Sequence, residues 1–153
     1  MADYPKVGAI EQFLERVILK EDPICVLLFG SLARGDYLLC SDADILAIFR
    51  EPEVNFLQGI GRLKELDDSG WIEPIGYGKE QFKRMIREVN PLAWEALTDG
   101  ILLYLGDEAA WQEILRVSAE TKQTLDVVRT PTGWEIRNEE TWQGRRSWSS
   151  PPG

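Results

Sequence analysis

The stretch that decides the fold is ICVLLFGSLARGDYLLCSDADILAIF, residues 24–49. It opens with a continuous apolar run, Ile24 to Phe29, too short for a helix and suited to a strand covered on both faces. Gly30-Ser31 ends that strand, and Ser31 is placed to cap a short helical turn through Arg34-Gly35. A second apolar run, Ala43 to Phe49, starts directly after Ser41-Asp42 and stops at Arg50-Glu51-Pro52. The predicted pattern is strand, glycine corner, short helix, strand.

Working outward, Val7, Ile10, Phe13, Leu14, Val17 and Ile18 recur at helical spacing, so residues 7–20 are predicted to form an amphipathic helix that Asp22-Pro23 stops. Phe56, Leu57, Ile60 and Leu63 mark another helix, interrupted by Gly59 and Gly61. After a turn at Asp67 to Gly70, Trp71 to Tyr77 is a weaker strand whose Pro74 calls for a sheet edge. Helices are expected from Lys79 to Val89 and from Asn90-Pro91 through Leu97, then a strand at Ile101 to Leu105. Asp107 should cap a last helix reaching about Leu125, with Trp111, Ile114 and Leu115 inward. The fold class is α/β (α+β), a small mixed sheet of about four or five strands flanked by helices.

From Arg129 the composition turns to Thr, Pro, Gly, Ser and Arg with three of the six tryptophans, so we divide the chain into a domain at 1–128 and an irregular tail at 129–153, with one strand around Gly133 to Ile136. Trp134, Trp142 and Trp148 beside Arg145 and Arg146 form either a partner-binding surface or a disordered end.

Composition narrows the chemistry. The 153 residues suit one domain, and 17 Lys+Arg against 26 Asp+Glu leave a net charge of -9, which argues against a grip on free nucleic acid. No apolar stretch approaches the roughly 20 residues that span a bilayer, and no leader precedes the first helix, so a cytoplasmic protein is expected. Cys25 and Cys40 fit small reduced core residues, and no histidine is present, which removes Cys/His zinc sites and histidine-based nucleophile triads. What remains is chemistry on carboxylates, hydroxyls, lysine or bound hard cations.

Asp42 and Asp44 supply such a site. Two acids two apart on a strand share one face, with α-carbons about 6.6 Å apart. Leu46 and Ile48 continue that face, so ionised carboxylates begin a stripe that wants burial, a costly placement that magnesium would relieve. Gly30 lets backbone approach a ligand, and Ser31 with the amides after it can hold the end of a phosphate chain.

Gly30-Ser31, Arg34-Gly35, Ser41-Asp42 and Asp44-Ile45 together resemble the signature of the DNA polymerase beta-like nucleotidyltransferase superfamily. With Ala33-Arg34-Gly35 inside it, the motif is similar to that of minimal nucleotidyltransferase (MNT) antitoxins paired with HEPN toxins. The resemblance implies a polymerase beta-like fold, magnesium held by Asp42 and Asp44, and a nucleotide held by Gly30, Ser31, Arg34 and Ser41. It also implies a third carboxylate on a later strand that activates the attacking hydroxyl. Glu73 is the candidate, a glutamate beside a proline where aspartate is usual; Glu80 and Asp68 fall in helix and turn. The implied reaction moves AMP from ATP to a hydroxyl, in this branch a tyrosine of the partner toxin. Two other readings stay open: a non-catalytic antitoxin that neutralises its partner by binding, and a stand-alone transferase acting on a small molecule.

Overall fold

The computed structural model describes residues 6–37, 41–131 and 133–136. Its main sheet has four strands, β1 (Cys25–Phe29), β2 (Ala43–Phe49), β3 (Ile72–Gly78) and β4 (Ile101–Leu105), in the order β3-β2-β1-β4. β1 runs antiparallel to both β2 and β4, whereas β3 is parallel to β2 and reaches it through a helical crossover. The two apolar runs are the central strands, covered on both faces as their continuous hydrophobicity requires. Pro74 lies on the edge strand β3, where its missing N–H leaves no partner strand unsatisfied.

Helices cover both faces. On one side α1 (Val7–Glu21) buries Ile10, Phe13 and Val17 against Val26, Leu28, Ile45, Ala47 and Phe49, joined by Leu63 of α3 (Phe56–Lys64). Leu27, Leu46 and Ile48 point to the other side, against α4 (Lys79–Arg87), α5 (Pro91–Asp99) and α6 (Glu108–Leu125). Each fully buried side chain such as Phe82, Ile86 or Ile114 contributes roughly 1.5 to 3 kcal/mol. Asn90 and Asp107 cap α5 and α6, accepting from the Leu92 and Ala110 amides at 2.9 and 3.0 Å. Among the described residues no helix is long and apolar enough to cross a membrane.

Several details depart from the sequence reading. The short helix α2 runs Gly30–Arg34, and its N-cap is Phe29 with no side-chain cap. Ser31 is the second residue of that helix and does not cap it. Phe56 and Leu57 do not join the core; they are 44% and 75% exposed, because α3 turns Gly59 and Leu63 toward the sheet. A β-carbon at Gly59 would stand 3.1 Å from the Gly76 carbonyl oxygen, so glycine sets the helix close against β3. The expected strand at Gly133–Ile136 is β6, and it pairs antiparallel with β5 (Val127–Thr130), a strand that runs through residue 129. Trp134 packs on Trp94 with ring centroids 5.4 Å apart. Cys25 is a buried free thiol; Cys40, Trp142, Trp148, Arg145 and Arg146 lie outside the described residues.

Candidate active site

The corner between β1 and α2 is built by one glycine. Phe29 ends β1 in an extended conformation, and Gly30 turns the chain with φ +73°, a region costly for any residue with a β-carbon. A second constraint acts on the same atom: a β-carbon on Gly30 would lie 3.1 Å from Asp44 Cγ and collide with Oδ2. Gly30 thus brings backbone against a carboxylate of its own chain. Gly35, at φ +86°, closes α2 by donating its N–H to the Ser31 carbonyl at 2.9 Å.

Strand register assembles the acids. Asp44 stands opposite Phe29 on β1 and, on its other side, opposite Glu73 on β3. Paired residues of neighbouring strands share a face, and the strands lie about 4.8 Å apart. Asp42 precedes β2 by one residue, near enough for its charge to act on Asp44. This is the face of Leu46 and Ile48, at the end of the strand where Asp42 and Asp44 remain half-buried. Burial pushes the Asp44 carboxyl above its ordinary value, and the nearby charges of Glu73, Asp42 and Glu95 push it further, against a weaker opposing pull from Arg34.

Arg34, at the end of α2, is largely engaged. It donates to Glu95 Oε2 at 2.8 Å and to Asp36 Oδ2 at 3.3 Å. The Asp36 hydrogen bond is the main reason its guanidinium holds its proton above the ordinary range, with Glu95 and Asp99 adding to it. Glu95, on α5, is not legible in the sequence, since it stands between Trp94 and Ala96 on a helix whose visible signal is apolar. Ser41 is half-buried next to Asp42, and Ser31 half-buried next to Gly30.

The donor set suits a hard cation, with carboxylates and no imidazole or exposed thiol in the group. Burial of the Asp44 carboxylate and its repulsion by Glu73 and Asp42 are what such a cation would relieve. Among the described residues no three Asp, Glu, Cys or His side chains stand close enough to cage a metal unaided. A cation here would complete its shell with outside ligands, as magnesium does with phosphate oxygens and water.

The profile of the nucleotidyltransferase domain family matches residues 10–93, more than half of the chain. The chain belongs to that family. As a nucleotidyltransferase it is a group-transfer enzyme, and the matched segment holds the Gly30 corner and all three acids. β4, α6 and the β5–β6 hairpin lie beyond it. Among solved structures, a toxin–antitoxin crystallised with AMP-PNP superposes with a TM-score of 0.52 at 14% identity, covering 90% of this chain and 94% of that one. A mutant of the toxin–antitoxin MntA–HpeT gives 0.49 at 12% identity over 94% of each chain. A candidate nucleotidyltransferase from Sulfolobus solfataricus gives 0.40 at 24% identity over 64% of this chain and 87% of that one. At 14% identity the likeness to the structure with AMP-PNP is one of fold. No curated protein matches the chain.

Proposed function

We propose that the nucleotidyltransferase moves AMP from ATP to the hydroxyl of a tyrosine on a partner protein, a HEPN-type toxin, and thereby acts as its antitoxin in the cytoplasm. The observation that carries the transfer reading is the register that sets Glu73 beside Asp44, with the Gly30 corner against the Asp44 carboxylate and the Asp42 charge acting on it. The partner reading draws on the Gly30-to-Ile45 motif and on the fold shared with a toxin–antitoxin crystallised with AMP-PNP.

Asp42 and Asp44 would hold magnesium, which when bound neutralises triphosphate charge and orients the phosphates. The acceptor oxygen attacks the α-phosphorus, forming a new P–O bond as the bond to the bridging oxygen breaks. Pyrophosphate departs with that electron pair. Glu73 takes up the hydroxyl proton; it is exposed on the edge strand, where an acceptor side chain can arrive from outside. The net charge of -9 favours a protein acceptor over free nucleic acid.

A second reading, neutralisation of the partner by binding alone, is favoured by the same exposed glutamate standing where aspartate is usual. One experiment separates the two. Labelled ATP, magnesium and the partner toxin should give a labelled tyrosine, and Asp42→Ala with Asp44→Ala should abolish both labelling and protection. Protection that persists in the double variant assigns the chain to the binding class. Labelling of small hydroxyl compounds without the toxin would assign it to the stand-alone class.

A further inference from the structure

A cleft of about 370 Å³ opens between α5 and the β5–β6 hairpin, lined by Arg34, Pro91, Glu95, Arg129, Pro131 and Trp134. Its volume lies within the range of small-ligand sites. Its Arg34 ends helix α2, whose first residue Gly30 stands against Asp44, so the cleft lies about one helical turn from the acid corner. Its hairpin wall, β5 and β6, lies beyond the family match at residues 10–93.

The charges of the cleft decide what it can take. Arg34 is paired with Glu95 and Asp36, and Arg129 with Asp99 through a two-pronged contact whose longer arm is 3.0 Å. Two guanidiniums against three carboxylates leave no net positive charge, so this is not a grip for phosphates. Neutralised charged groups beside Pro91, Pro131 and the Trp134 ring, over which the Arg129 guanidinium lies 5.5 Å from the centroid, suit an uncharged ligand with a planar ring and several donors and acceptors. Trp134 is backed by Trp94, whose indole N–H is fixed to the Ile86 carbonyl at 3.0 Å, so the wall is preorganised.

We infer that this cleft seats the base-and-ribose end of the nucleoside triphosphate whose phosphates lie at the acid corner. The inference rests on the transferase reading above. Ring edges meet Arg129 and Arg34, the ribose hydroxyls have Glu95 as acceptor, and the base packs on the hairpin wall.

The test uses the full chain in calorimetric titrations with magnesium and two probes, a non-hydrolysable ATP analogue and inorganic tripolyphosphate. Pro131→Trp blocks the cleft from an exposed turn position, and Trp134→Ala removes its wall. Both variants should weaken the analogue about tenfold while tripolyphosphate stays within about twofold. Unchanged analogue affinity with Pro131→Trp overturns the inference, as does equal loss of both probes. A wild-type chain that binds both probes equally well overturns it and leaves the transferase reading standing. Failure of the wild type to bind either probe sinks both.

Discussion

Gly30→Ala separates backbone strain from a steric demand made by the acid group. The first cost is conformational: at φ +73° an L-residue is disfavoured by about 1 to 2 kcal/mol. The second is an overlap with the Asp44 carboxylate, whose forced displacement costs about 1 to 3 kcal/mol, as overpacking does elsewhere. Together they predict a loss of about 2 to 5 kcal/mol, a large share of the roughly 5 to 15 kcal/mol that stabilises a domain. Gly35 provides the control, because it has φ +86° but nothing within 4 Å of where a β-carbon would stand, so Gly35→Ala should show the backbone cost alone. Urea unfolding followed by circular dichroism measures both variants. Adding Asp44→Ala to Gly30→Ala removes the obstructing oxygens and leaves only its β-carbon at 3.3 Å, so the double variant should recover about 1 to 3 kcal/mol of coupling. Equal costs at positions 30 and 35, or no recovery in the double variant, would refute the claim that the corner is glycine because Asp44 lies against it.

Asp44 also predicts a pH dependence. Its carboxyl is held above the ordinary 3.8, first by burial and then by Glu73, so the folded state binds that proton more tightly than the unfolded chain. The stabilising contribution is complete below 3.8 and is lost as pH rises through the raised value. In metal-free buffer Asp44→Asn should therefore exceed the wild type in urea midpoint at about pH 7, with the gap closing on acidification; a gap that widens toward low pH contradicts the assignment. Cys25, whose thiol burial pushes up to about 12, should resist iodoacetamide at about pH 8 in the native chain and react once urea unfolds it, as peptide mapping at that residue will show. Arg62 donates to both Glu51 oxygens at 2.9 and 3.0 Å and to Glu21, tying α1, α3 and the turn after β2. Arg62→Ala should lower stability by about 1 to 3 kcal/mol, and an unchanged urea midpoint would show that these contacts are idle.

The sequence by itself determined the elements and the motif. The runs at Ile24 to Phe29 and Ala43 to Phe49 are strands on composition and length alone, and the helical stripes near Val7, Phe82 and Trp111 follow from a period that local chain geometry imposes. The two-residue spacing of Asp42 and Asp44 is legible because strand alternation is local, although β2 itself begins at Ala43, after Asp42. Ser31 has the residue type of a cap but is not one, because helix α2 begins one residue earlier, at a positive φ that glycine permits but does not announce. Phe56 and Leu57 have the bulk of core residues but stay exposed, Phe56 with its ring 6.0 Å from that of Tyr77 on the sheet, because the helix seats on Gly59 and Leu63. Tertiary structure alone decided the order β3-β2-β1-β4, the register that lays Glu73 against Asp44, the reach of Glu95 from α5, and the docking of Trp134 on Trp94. Those juxtapositions join residues far apart in the chain. They depend on which faces find cover on folding, and no periodicity within a single segment carries that information.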